Sequence, residues 1–276
     1  TVVNQLGLAL DKANSDDSVR TIVLDGAGKA FVAGADVKFF VDKIRADSFS
    51  DIYDFTANGH VVQDKLESSS KTTIALTTGL ALGGGLELAL SCDYRIGTRK
   101  TQFRFPETSI GIFPGLGGTQ RPARISGIPA ARWAVLAGNF MDSKTAADLG
   151  LVTNLVDISE VESTIRTLDS NGKPENKYTG KPANPDSKVV QFANSFYSDE
   201  NIATVLAGNC PEGFDSEDKA VSRQMKSLSR TAPIALSLAN DLINAAGNTN
   251  LSDGLGQELG NLETIFSTDD ALEGLS

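Results

Sequence analysis

Two glutamates, Glu87 and Glu107, are the side chains of this sequence best suited to acid–base chemistry. Glu87 sits in "LALGGGLELAL", where three consecutive glycines lead into a helix that is apolar on every face. Such a helix belongs in a core, and an unpaired carboxylate there titrates high and tends to mark a functional site. The helix N-terminus that carries it also offers unpaired N–H groups and a partial positive charge, suited to a developing oxyanion. The bland alternative is that Glu87 caps its own helix or pairs with an arginine such as Arg121. Glu107 follows Pro106 at a strand end, before "TSIGIFPGLGG", and from there a carboxylate can face a pocket. A solvated loop glutamate is the commoner outcome at such a position. Gly111, Gly115, Gly117 and Gly118 allow close backbone approach in that turn, although turns use glycine in any case.

Other chemistries find little material. The 276 residues contain one histidine, His60, which argues against histidine-rich metal sites and leaves a Ser-His-Asp triad a single candidate. His60 reads as a helix residue with a structural or surface role. Cys92 and Cys210 lie far apart and form no ligand cluster, which suits a reducing, cytoplasmic setting. "GAGKAF" begins like a dinucleotide fingerprint, but Phe31 occupies the third glycine position. The Gly28-Lys29 pair lacks the upstream glycine of a P-loop, and no G-x-S-x-G elbow occurs. The formal net charge of −10 repels nucleic acids and anionic membrane surfaces, so any anionic ligand must be held by local N–H groups and basic side chains. No apolar run reaches the roughly 18 residues of a membrane span.

The elements that must position these groups read as α/β. A first amphipathic helix carries Val2, Leu6, Ala9 and Ala13 on one stripe, beside Val3 and Leu10. Ile22-Val23-Leu24 reads as a buried strand, "DGAGKAFVAGAD" as a loop, 58–70 as a helix and Thr72 to Thr77 as a second strand. Strands follow in "YRIGT" and "TQFRF", then a glycine-rich turn and a helix around 130–138. The stretch 168–187, polar with three prolines, reads as a long loop or linker. Beyond it the chain is helical. Pro233 opens one helix, and Ser252 is the expected cap of the next, whose stripe is Leu255, Leu259, Leu262 and Phe266. That stripe needs a surface to cover it, on its own body or on a neighbour's. The division expected is a mixed core over 1–190 and a helical region over 191–276.

Three segments together resemble the crotonase (enoyl-CoA hydratase/isomerase) superfamily: "KAFVAGADVKFF", "GLALGGGLELALSCDYRIGT" and "FRFPETSIGIFPGLGGTQR", in the family's order and spacing. The resemblance implies a spiral of strand-strand-helix units followed by a C-terminal helical region for oligomerisation and active-site cover. It implies that the N–H groups of Ala35 and Gly84 form an oxyanion hole for a thioester carbonyl. Glu87 and Glu107 match the two glutamates of hydratases, Gly115 a glycine whose N–H holds the reacting water, and Ala33 and Lys38 positions lining the adenine and phosphate part of a CoA site. The activity implied is reversible hydration of trans-2-enoyl-CoA, with no metal and no cofactor beyond the CoA of the substrate. Isomerases and thioesterases of the family often lack one glutamate; this chain keeps both. A related CoA-thioester activity, such as isomerisation, or a non-catalytic CoA-binding subunit are the alternatives. A homotrimer or dimer of trimers is implied, with a fused or separate 3-hydroxyacyl-CoA dehydrogenase as a further partner. The family's first strand and last residues have no counterpart in this sequence, so the resemblance also implies a longer natural chain.

Overall fold

The computed structural model describes residues 2–276. Helix α1 (Val2–Ser15) is followed by β1 (Thr21–Asp25), β2 (Ala30–Val32), α2 (Val37–Arg45) and α3 (Phe49–Glu67). The next turn repeats the pattern with β3 (Thr72–Thr77), β4 (Leu80–Leu82) and α4 (Gly84–Ser91). A third adds β5 (Tyr94–Gly97), β6 (Gln102–Arg104) and the helix α5 (Arg121–Ser126), before the short β7 (Met141–Asp142) and β8 (Asn154–Leu155). Each of the first three turns therefore gives one strand to each of two sheets. The first sheet runs β1-β3-β5-β8, all parallel; the second runs β2-β4-β6-β7, parallel except for its last pair. Parallel neighbours require crossovers, and the helices supply them. Strand β3, central and covered on both faces, is a near-continuous buried run, whereas β1 at the sheet edge leaves Val23 39% exposed. The expectation that β1 is fully buried fails for that reason.

Several local expectations shift. The packed face of α1 is Val3, Leu6, Gly7, Leu10 and Ala13, while Val2 is 78% exposed and Ala9 also faces solvent. Glycine at position 7 lets α3 come close, which rotates the stripe by one residue; a methyl group there would meet Val62 Cγ2 at 3.3 Å. The helix expected from position 58 begins at Phe49 and ends at Glu67. Ser252 lies inside the helix Leu251–Gly260; the cap is Asn250, whose side chain accepts from Asp253 N.

The polar stretch is a strap rather than a free linker. Its first residues finish the helix Val161–Asn171, and the rest is tied to the core through carbonyls and carboxylates. Lys177 Nζ meets Glu67 Oε1 at 2.9 Å and donates to Ser91 O at 2.8 Å, Gly180 N donates to Arg124 O at 2.7 Å, and the Tyr178 hydroxyl donates to Glu67. A segment held by hydrogen bonds needs few apolar residues, which is why its composition resembles a linker. Downstream, Leu255, Leu262 and Phe266 are buried against this same chain, including α3, and Leu259 packs partly. The stripe that needed a covering surface finds it on its own body.

Candidate active site

The glycine-rich turn between β4 and α4 sets the site. Gly83 adopts φ 49° and ψ −125°, a conformation that favours glycine, and its N–H donates to Arg104 O at 3.0 Å. A methyl group at Gly83 would lie 2.3 Å from Glu107 Oε1, and one at Gly84 would lie 3.8 Å from Glu87 Oε2. The two carboxylates thus reach the same turn from different elements: Glu87 from the first turn of the apolar α4, Glu107 from the one-turn helix Glu107–Ile110 after β6. A cavity of about 150 Å³ opens between them, lined by Ala33, Ala35, Gly84, Glu87, Glu107 and Gly115 together with apolar side chains. Lys38 is not in that lining. It lies exposed in the first turn of α2, whose cap Asp36 accepts from the Lys38 amide at 3.1 Å.

The two buried acids have opposite surroundings. Glu87 Oε1 accepts from Leu116 N and Gly118 N, both at 2.7 Å. Burial pushes its carboxyl up to about 7, and those two N–H groups oppose the rise. Arg121 does not pair with it; the guanidinium bonds Glu67, Gln63 Oε1 and Leu116 O. Glu107 Oε2 is buried with no hydrogen-bond partner among the described residues. Burial, then the charge of Glu87, lifts its carboxyl well above the usual range. One acid is therefore equipped to carry charge and the other to hold a proton.

A third buried carboxylate was not anticipated. Glu258, fully buried in the helix Leu251–Gly260, accepts from Gly117 N at 2.7 Å, Thr119 N at 3.1 Å and Thr119 Oγ1 at 2.5 Å. Burial pushes it up to about 8, with the charge of Glu87 as the second cause. Its spacing held the signal: it lies three residues after Leu255 and four before Leu262, on the apolar stripe itself. His60, on α3, is buried and bonded through Nε2 to Gly115 O at 2.7 Å; desolvation lowers its pKa and keeps the ring neutral. No group of residues suited to hold a metal ion occurs among those described.

The sequence profile described as "Enoyl-CoA hydratase/isomerase" matches residues 1–276. The chain belongs to the enoyl-CoA hydratase/isomerase family. A relative from Bacillus subtilis named probable enoyl-CoA hydratase is 33% identical over 220 residues, covering 79% of this chain and 82% of the relative. The human peroxisomal bifunctional enzyme is 37% identical over 166 residues, 60% of this chain but 22% of that protein's length. The crystal structure of an enoyl-CoA hydratase from Rhodobacter sphaeroides superposes with a TM-score of 0.81 over 99% of this chain and 79% of that one, at 23% identity. That likeness concerns the fold: the crotonase spiral and its helical C-terminal region. Among the described residues no helix is long and apolar enough to cross a membrane.

Proposed function

We propose that the chain is an enoyl-CoA hydratase, adding water reversibly to a trans-2-enoyl-CoA to give a 3-hydroxyacyl-CoA. The observation that carries this reading is a pair of buried carboxyl groups on one small apolar cavity, one accepting two N–H groups and the other with its Oε2 left unpartnered among the described residues. Glu87, whose anion those donors stabilise, takes a proton from water as the oxygen bonds the β-carbon. Glu107, held protonated, gives its proton to the α-carbon. Negative charge gathers on the thioester oxygen between the steps, and the N–H groups of Ala35 and Gly84 would meet it. Neither makes a hydrogen bond to another protein group among the described residues. After release the pair resets by moving one proton from Glu87 to Glu107. CoA enters as part of the substrate, and the chemistry calls for no other group.

The cavity also argues for a substrate class. A volume of about 150 Å³ is that of an engineered site that takes a benzene-sized guest. Its apolar wall includes Phe40 and Phe266, stacked at 5.3 Å between ring centroids. Short enoyl chains are therefore the expected substrates. In a hydration assay following loss of enoyl-thioester absorbance, kcat/KM should peak at about four to six carbons and fall at least tenfold for long chains, since a pocket must enclose most of its ligand. Phe266→Ala should move the optimum to longer chains. No turnover of any enoyl-CoA would remove the hydratase reading, and a flat chain-length profile would remove the assignment of the wall.

The phosphates of CoA must be bound by a chain of net charge −10. Lys38 stands three residues beyond Ala35, and Lys43 is engaged with Asp51 at 2.6 Å. Exposed charges beyond about 8–10 Å are largely screened at physiological salt, so a near lysine outweighs distant carboxylates. Lys38→Ala should raise KM for CoA esters several-fold at nearly constant kcat and leave a pantetheine thioester unaffected. Equal losses on both substrates would assign Lys38 to packing instead. The product is a secondary alcohol, so a 3-hydroxyacyl-CoA dehydrogenase, fused or separate, is the partner this reading suggests. Homotrimeric assembly, alone or as a dimer of trimers, belongs to the same reading.

A further inference from the structure

The segment Gly115–Thr119 is gripped from two sides by acids far apart in sequence. Leu116 N and Gly118 N point to Glu87, while Gly117 N and Thr119 N point to Glu258. The four donors alternate, so no peptide between them can rotate to release one acid without disturbing the other. The carbonyls are fixed as well: His60 Nε2 donates to Gly115 O at 2.7 Å and Arg121 Nη1 to Leu116 O at 2.9 Å. Gln120 Nε2 extends the lattice by donating to Thr119 Oγ1 at 3.0 Å and Leu242 O at 2.7 Å. Gly117 has φ 95°, and a methyl group there would lie 1.7 Å from Arg121 Nη1, so the loop has no room for another path.

We propose that Glu258 is a positioning residue: by holding Gly117 and Thr119 it sets the Leu116 and Gly118 N–H groups on Glu87, tying the C-terminal helices to the acid–base site. The kinetic side of this inference rests on the hydratase reading; the coupling across the loop does not. Its logic is geometric. An acid that accepts two N–H groups stays ionisable in a cavity that would otherwise neutralise it, and those two groups are held in line by their neighbours' bonds to Glu258. The groups facing Glu258 are His60 from α3, with Nε2 3.7 Å from Oε2, Arg121 from α5, and Glu87 across the loop. Those acting on Glu87 are Arg121, Glu107 and Glu258. His60 is neutral, so Glu258 has no cationic partner on that side.

Glu258→Gln keeps the size but sets an NH2 group against one of the two backbone donors, Gly117 N at the Oε2 position or Thr119 N at the Oε1 position, so the loop must shift. Two readouts separate positioning from plain structural support. First, kcat for a short enoyl-CoA should fall at least tenfold with KM changed less than about threefold, and the acid limb of the kcat profile should move to higher pH, because Glu87 loses its donors. Second, amide hydrogen exchange should rise not only at Gly117 and Thr119 but also at Leu116 and Gly118, which Glu258 does not touch. The exchange measurement stands even if no enoyl-CoA is turned over, so failure of the hydratase reading and failure of this inference are distinct results. An acid limb moved to lower pH with kcat preserved would show that Glu258 acts by charge alone, and would overturn the proposal. Unchanged exchange at Leu116 and Gly118 would do the same. Should Glu258→Gln not fold, Thr119→Val removes the 2.5 Å hydroxyl bond to Glu258, together with the acceptor of Gln120 Nε2, while keeping both backbone donors, and carries the test: kcat about threefold lower with the limb moved up supports positioning, and an unaltered profile refutes it.

Discussion

Glu87→Gln and Glu107→Gln each lower hydratase kcat by at least about 10²-fold while CoA-ester binding stays nearly intact. Both side chains line the cavity and touch the Gly83-Gly84 turn, so each amide keeps the packing and removes only proton transfer. The two variants should nonetheless differ in stability. The Glu107 carboxyl is raised well above its ordinary 4.5, so the folded state holds a proton that the unfolded chain gives up. For a carboxyl raised in this way, the stabilising contribution is complete below the unfolded value and is lost as pH climbs toward the folded one. Glu107→Gln does not titrate. Its Tm relative to the wild type should therefore rise between pH 5 and pH 8, a gain of stability bought with activity at the same residue. The trade is weaker for Glu87, where Leu116 and Gly118 offset part of the burial. Near-normal turnover in either variant would undo the paired-acid assignment, and a silent Glu107→Gln alone would point to isomerase chemistry. A Tm difference that shrinks with rising pH would contradict the protonated state of Glu107.

How far the site could be read from residue order differs among its parts for physical reasons. Glu87 was legible because a carboxylate amid Leu86, Leu88, Ala89 and Leu90, directly after three glycines, has few solvated alternatives. Burial of Glu107 was not legible in the same way, since the sequence after a strand gives no measure of what closes over it; here the helices of the C-terminal region, with Leu262, Phe266 and Leu275, wall the cavity. Glu258 passed unnoticed because a glutamate in an amphipathic helix is usually solvated, even though its spacing placed it on the apolar stripe. The strap at 172–187 is the long, largely exposed loop that its polarity suggests; what composition does not show is the set of carbonyls and carboxylates that tie it to the core. The alternation of strands and helices was legible in the pattern, but the spiral came only from the resemblance to the family, since β2 and β4 lie in glycine-rich segments that read as loop and turn. The rotation of α1 depended on a close approach at Gly7 that composition does not encode.

Gly84→Pro should lower kcat about 10²- to 10³-fold relative to Gly84→Ala, the size expected for losing one preorganised oxyanion donor. Gly84 is the first residue of α4, and the first N–H groups of a helix have no intrahelical acceptor. The preceding amide, Gly83 N, is taken by Arg104 O, and the first intrahelical bond is Glu87 N to Gly83 O, both at 3.0 Å, while Gly84 lines the cavity. Proline is well tolerated at this first helical position because it removes an N–H the helix does not need, so α4 and the placement of Glu87 should survive. Alanine at the same site is the matched control: it keeps the N–H and adds a Cβ 3.2 Å from Leu116 Cδ1, a flexible tip that can yield. The proline ring also occupies the space next to the missing hydrogen, so KM should rise along with the fall in kcat. What decides the matter is kcat at saturating substrate. If Gly84→Pro turns over within about tenfold of Gly84→Ala, the thioester oxygen does not depend on this amide, and the charge formed during hydration must be met elsewhere in the cavity.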